Sequence, residues 1–342
     1  MSLLRRMQES LGTVVPIWFP ESVAVGDMAD LLRRVTSEIE AYSQPGNVLL
    51  VVDGCPHAVE ATEIVAGEVG ERCGEKCRVE IMSENQGKGG AVARGLELLL
   101  LDPGIELLVA RDHDGDHDVH DLPRIVRRFA DVIARERTDN VFAVGSRVSP
   151  QMGLGWARGE YELLLNRALV EAVNVALAAD GRRVDLRYSL PETRYPDFQS
   201  GYKLYTRRTA QANIDIIRAA HEADPETRVM YWGGEFVTAT ELLLRGAIPV
   251  EVSRATYDEQ PHTTFDERDR VEAFGKQFAW LFRRLDTPAE MARLITDNAI
   301  AQSPLRFAAG LWDELMAFRE YVRSAAYPDA DWSNPPPHGE LL

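Results

Sequence analysis

With 342 residues, 45% hydrophobic and 27% charged, the chain carries enough apolar mass for one large core, or one core with an appendage. Its formal charge of -16 and pI near 5.0 exclude a general nucleic-acid binder, which needs a basic face, while leaving room for a local basic pocket. No run approaches the roughly 18 apolar residues of a membrane span, and the first residues lack the apolar core of a signal peptide. Cys73 and Cys77 are spaced for neither a redox pair nor a zinc set, so free thiols in a cytoplasmic setting are expected.

In chain order, residues 14–19 form a first apolar run, and residues 28–42 carry apolar side chains at helical spacing. A second strand over 48–52 ends at Asp53-Gly54 and precedes a helix over about 58–69. Then come a strand over 78–82, a helix over 89–101, a strand over 107–110 and another over 141–144. Strands alternating with helices in this way predict an α/β fold with a mostly parallel sheet. Beyond Arg147 the pattern changes: 159–179 reads as a long amphipathic helix and 181–196 as polar and turn-rich. A short strand and helix block ends near 248–252, and helices follow. The expected organisation is one α/β domain over 1–255, a helical extension over 256–326 packed on it, and a mobile tail over 327–342.

The stretch Asp112-His113-Asp114-Gly115-Asp116-His117-Asp118 follows the fourth strand, at the carboxyl end where open α/β sheets bind ligands. Its four aspartates repel one another unless cations or donors offset them, and carboxylate oxygens suit a hard Mg²⁺ or Mn²⁺. A solvated turn explains the same residues. An EF-hand does not, because the glycine comes fourth instead of sixth and no glutamate closes the loop. His113, His117 and His120 keep a metal hydrolase open as an alternative, although no second His/Asp cluster of similar density occurs.

Two further strand ends carry chemistry. Asp53 ends the second strand, and Glu84-Asn85-Gln86-Gly87-Lys88-Gly89-Gly90-Ala91 follows the third and opens a helix, where glycines and a helix N-terminus favour an anion. This is no Walker A loop, since Met82 and Gly89 stand where glycine and Ser/Thr belong. Asp53, Lys88 and Asp112/Asp114 thus end three successive strands on one sheet edge.

Asp53, Asn-x-Gly-Lys-Gly-x-Ala and Asp112-x-Asp114-Gly together resemble the family 2 nucleotide-sugar glycosyltransferases of the GT-A fold. The similarity is greatest to the polyprenyl-phosphate (dolichyl-phosphate) glucosyl- and mannosyltransferases. Val144-Gly145-Ser146-Arg147 adds to it, as does Asp197-Phe198-Gln199-Ser200-Gly201-Tyr202-Lys203-Leu204-Tyr205-Thr206-Arg207, which is similar to Asp-x-Gln-x-Gly-Phe-Lys-Leu-Phe-x-Arg. The resemblance spans residues 14–252 and implies a GT-A fold with a helical C-terminal extension, binding a UDP- or GDP-sugar. Pro16, Asp53, Lys88, Asp112, Gln199, Gly201 and Lys203 would bind the nucleotide sugar; Asp53 would meet the base and Asp112 the ribose or sugar. Asp114 would hold Mg²⁺ or Mn²⁺, with His262 as a second candidate ligand. Glu235 would be the catalytic base, with Glu241 as its competitor.

This sequence departs from the family where the first strand ends, reading Phe19-Pro20-Glu21-Ser22, and where Asp53-Gly54-Cys55 replaces Asp-Asp-Gly-Ser. Its C-terminal helices are too polar to span a bilayer. The expected acceptor is therefore either a polyprenyl phosphate or a small acid such as phosphoglycerate, the latter with retention of configuration. A nucleotidyltransferase lacks its Gly-Gly-x-Gly-Thr-Arg loop here, and a non-catalytic nucleotide-sugar binder is the other alternative. Phe274, Phe278 and Leu281, then Leu311, Leu315 and Phe318, are spaced for a homodimer interface or for a core.

Overall fold

The computed structural model describes residues 3–151, 155–192, 194–223, 233–256, 269–334 and 336. The strands among these are β1 (Leu11–Ile17), β2 (Val48–Asp53), β3 (Arg78–Met82), β4 (Leu107–Ala110), β5 (Val141–Arg147), β6 (Lys203–Thr206) and β7 (Ile248–Arg254). They form one seven-stranded sheet in the order β3-β2-β1-β4-β6-β5-β7. Every pairing is parallel except those of β6, which runs antiparallel to both β4 and β5. The α/β class with a mostly parallel sheet is thus as the sequence pattern predicts.

The strands read as unbroken apolar runs because both faces of the sheet are covered. One face takes Val15, Leu50 and Val52 into a core with α2 (Val25–Thr36), α3 (Val59–Cys73) and α5 (Leu122–Glu136). The other takes Val14, Leu49 and Val51 into a core with α4 (Gly87–Leu100), α6 (Trp156–Ala178), α7 (Arg207–Ala223) and α8 (Gly234–Leu244). A short α1 (Leu3–Ser10) precedes β1. α5 shows why such segments fold: Leu122, Ile125, Val126, Phe129 and Val132 recur at helical spacing and are all buried. Pro16 is tolerated inside a central strand because the ladder to β4 stops at Val14↔Ala110, so the N–H it lacks has no partner to lose.

Three differences from the sequence expectations have physical causes. The helix expected over 28–42 stops at Thr36, and the chain leaves it through a left-handed Glu38 (φ 53°) into a 3₁₀ turn. α6 is buried nearly all round, not amphipathic, because α9 (Arg270–Arg284) and α10 (Ala289–Gln302) cover its outer side. Tyr161 of α6 stacks on Phe274 at 5.1 Å and meets Phe318 of α11 (Leu311–Ala326) edge-on at 5.6 Å. Phe274, Phe278, Leu281, Leu315 and Phe318 therefore belong to the same core as the sheet face, which accounts for their spacing without a partner subunit. Nor is the start of the tail loose: Trp332 is 5% exposed, and Arg319 donates to the carbonyls of Trp332 and Asn334.

Candidate functional site

The carboxyl edge of the sheet gathers most of the sequence-selected residues. Asp53 is the last residue of β2, and its Oδ1 accepts the Gln86 N–H at 2.7 Å, tying the β3–α4 loop to β2. Gly54 makes that approach feasible: it sits at φ +56°, and a Cβ there would lie 2.0 Å from the Asn85 nitrogen. Burial pushes the Asp53 carboxyl up to about 6 against the hydrogen bonds from the Gln86 and Gly87 backbone.

Lys88 and Glu235 are each the second residue of their helices, α4 and α8, whose N-terminal ends cross at Gly89 and Gly234. The Lys88 ammonium reaches Asp112 Oδ1 at 2.8 Å, Asp112 Oδ2 at 2.9 Å and Glu235 Oε1 at 2.6 Å. Burial opposes the Lys88 charge, but Asp112 and Glu235 outweigh it and hold the ammonium protonated well above the usual lysine range. Burial likewise opposes the Asp112 charge, and Lys88 draws its carboxyl well below the usual range. Because β6 is antiparallel, Lys203 at its start pairs with Ala110 at the end of β4, which sets Gly201 against this cluster. A Cβ on Gly201 would stand 2.5 Å from Lys88 Nζ and 2.7 Å from Asp112 Oδ2, so glycine leaves the space the ion pair occupies.

Asp114 follows Asp112 by two residues and lines a different pocket from Lys88 and Glu235. It opens into a cleft of about 550 Å³ that Arg33 and Arg34 of α2 and Ser37 just beyond it also line. Burial, reinforced by Asp112, pushes the Asp114 carboxyl up to about 7 against the hydrogen bond it accepts from the Asp116 N–H. A carboxylate crowded by like charges is a hard-cation ligand in need of a counter-charge, so its chemistry suits Mg²⁺ or Mn²⁺. Among the described residues no three His, Cys, Asp or Glu side chains are grouped as a metal-binding set. His262 lies outside the described residues.

Buried braces hold the acidic loop. Arg254, the last residue of β7, donates to Asp116 Oδ2 at 2.7 Å and to the Asp116 carbonyl at 2.8 Å. Arg111 donates to the His117 carbonyl at 2.5 Å and the Val35 carbonyl at 3.1 Å. His117 stacks on Tyr202 at 4.7 Å, its Nδ1 accepts the Asp112 N–H at 2.8 Å, and burial lowers its pKa to about 3. His113, lowered by burial to about 4, packs edge-on against Phe19 and bonds the Pro16 and Trp18 backbone. Both histidines thus serve the loop as neutral rings. Sequence reasoning missed Arg111 and Arg254; their one signal was a charged residue directly at the end of an apolar strand.

Glu241 and Gln199 make their contacts elsewhere, while Lys203 turns inward beside the Lys88–Glu235 pair. Glu241 lies two turns along α8 and pairs with Arg284 of α9 at 2.5 Å, away from Lys88. Gln199 donates to Asn166 of α6 at 3.2 Å. Lys203 points inward, 2% exposed, and donates to the Phe198 carbonyl at 2.9 Å and to the Ser200 carbonyl. Its loop is held by Arg147, which grips Asp197 at 2.6 and 2.8 Å and Glu162 at 2.6 Å.

Fold and site together define an α/β protein with an ionic cluster and an acidic loop at the carboxyl edge of its sheet. No protein-family profile matches the chain, and no curated protein matches it. Solved structures similar to it include a mycobacterial protein, at 14% identity and TM-score 0.41 over 84% of this chain and 80% of that one. Another is the 4-diphosphocytidyl-2C-methyl-D-erythritol synthase of Anaerococcus prevotii, at 10% identity and TM-score 0.38, covering 76% and 95%. A third is residues 1–349 of S. aureus TarS, at 12% identity and TM-score 0.30, covering 92% and 90%.

Proposed function

We propose that the chain is a metal-dependent glycosyltransferase that moves a hexose from a UDP- or GDP-sugar to an acceptor hydroxyl or phosphate. The observation that carries this reading is the meeting of Lys88, Asp112 and Glu235 over Gly201, with Asp53 on the same sheet edge. These residues come from five separate stretches of the chain, and those around Asp53, Lys88, Asp112 and Gly201 resemble motifs of the family.

In this reading Asp53 accepts hydrogen bonds from the nucleotide base, and Asp112 those of the ribose or hexose. Mg²⁺ or Mn²⁺ held by Asp114 would neutralise the charge of the diphosphate leaving group. Glu235 takes the proton from the acceptor hydroxyl as the acceptor oxygen bonds the anomeric carbon and the nucleoside diphosphate departs. Lys88 orients that carboxylate and keeps it beside Asp112, and Gly201, lacking a Cβ, leaves room for the Lys88–Asp112 pair. Orientation and charge placement thus supply the rate enhancement.

The test is release of nucleoside diphosphate from UDP- and GDP-hexoses with Mn²⁺ or Mg²⁺, first without acceptor and then with phosphoglycerate or a polyprenyl phosphate. Metal-dependent release that disappears in Asp114→Ala is expected, with acceleration by one acceptor class. Binding without any release would make the protein an idle nucleotide-sugar binder. Neither binding nor release would end the transferase reading.

A further inference from the structure

Directly behind the Lys88–Glu235 pair lies a cavity of about 20 Å³. Its lining includes Lys203 and Tyr205 from β6, Asn213 from α7, and Glu235 and Thr238 from α8, together with Gly89, Gly201 and Gly234. The polar groups here are incompletely used. Asn213 is 3% exposed; its amide donates to the Tyr205 hydroxyl at 3.0 Å, while among the described residues its Oδ1 has no hydrogen-bond partner. Since the Tyr205 oxygen accepts that bond, its own proton is free to donate elsewhere. Lys203 spends two of its three ammonium protons on the Phe198 and Ser200 carbonyls, leaving the third.

A cavity needs about 10–15 Å³ and two to four polar partners to hold a water molecule. This one supplies both: donors on Lys203 and Tyr205, acceptors on Asn213 and Glu235. We propose that it binds one ordered water that joins Glu235 to Lys203, Tyr205 and Asn213, making Tyr205 and Asn213 positioning residues for the Glu235 carboxylate. The first half of the proposal stands on the cavity alone; the second rests on the reading of Glu235 as the catalytic base.

The arrangement answers a geometric problem. Glu235 sits at the start of a helix and, among the described residues, is held by Lys88 through one oxygen. A single ion pair leaves the carboxylate free to rotate, and a second anchor on the inner side fixes its plane. The charge environment is compatible, for burial lowers the Lys203 pKa to about 8, opposed by Glu235 and Asp197, with Lys88 and Arg147 adding to the lowering. An unpaired carbonyl oxygen at Asn213 would otherwise be a cost with no return.

Two measurements test the proposal. A crystal structure at high resolution is expected to show one solvent peak about 2.7–3.2 Å from Asn213 Oδ1 and from at least two of the other three partners. A cavity without density in such a structure overturns the water site. The second is kinetic: Tyr205→Phe and Asn213→Leu each lower kcat about 10-fold while the donor KM stays within about twofold, because they disorient the base without touching the nucleotide. Asn213→Ser keeps an acceptor oxygen and is expected to lose less than Asn213→Leu, and it serves if the larger change prevents folding. Equal kcat in all three variants, or a rise in KM that matches the fall in kcat/KM, overturns the positioning role. If the wild type transfers no sugar, the transferase reading fails and the positioning role with it, while the solvent peak still decides the water site.

Discussion

At the scale of single residues, two glutamates share a helix but not a partner. Glu235 pairs with Lys88 beside Asp112, whereas Glu241 pairs with Arg284. Glu235→Gln is expected to lower kcat by about 10²–10⁴, the usual worth of a general base, with little change in Tm. Glu241→Gln is expected to leave kcat within a few fold; steady-state assays that rank the two the other way round would refute the assignment. Gly201→Ala forces a methyl group to within 2.5 Å of Lys88 Nζ. Activity is expected to fall by at least about 10-fold through loss of the Lys88–Asp112 geometry. Asp53 gives a pH signature of its own, because burial lifts its carboxyl from 3.8 to about 6. A carboxyl whose pKa is raised on folding contributes stability that is full below the unfolded value and lost as pH rises through the folded one. Asp53→Asn, uncharged throughout, is therefore expected to exceed the wild type in stability at pH 8 by about 1–3 kcal/mol, the gap closing by about pH 4. Melting curves showing the same gap at both pH values would contradict this.

At the scale of elements, the acidic loop keeps its shape through braces from distant parts of the chain. Arg254 of β7 is 2% exposed and answers both the side chain and the carbonyl of Asp116. Removing one member of such a buried pair leaves the other charge unpaired, so Arg254→Gln is expected to cost about 3–5 kcal/mol. A drop in Tm no larger than that of a surface arginine variant would show that the brace is not needed. These braces mark the limit of what the sequence discloses. The β1 to β5 strands and the carboxylates at their ends were legible because apolar runs and turn residues are local signals. The antiparallel β6 was not: Lys203–Thr206 is four residues long, and its insertion between β4 and β5 depends on pairing with strands far away in sequence. The same insertion brings Gly201 to Lys88, so the residue types of the site were readable while their contacts were not. Lys203, selected as a ligand-facing residue, turned inward for the same reason.

At the scale of the molecule, the C-terminal helices share their core with the sheet: Phe278 is fully buried and meets Phe318 at 5.0 Å. Phe278→Ala is expected to destabilise by about 3–5 kcal/mol and to lower one cooperative calorimetric transition. Two separated transitions would mean that the helices form a unit of their own. The central claim, that the carboxyl edge of the sheet binds a nucleoside-diphosphate sugar with a divalent ion, is tested most directly by thermal stabilisation. Wild type and Asp114→Ala are melted with a panel of nucleoside diphosphates and their sugars, each with and without Mn²⁺. Ligands that bind only the native state raise Tm by mass action, so no acceptor need be known. The expected result is a shift that requires metal, favours one base and disappears in Asp114→Ala. No shift with any nucleotide and any metal would contradict it.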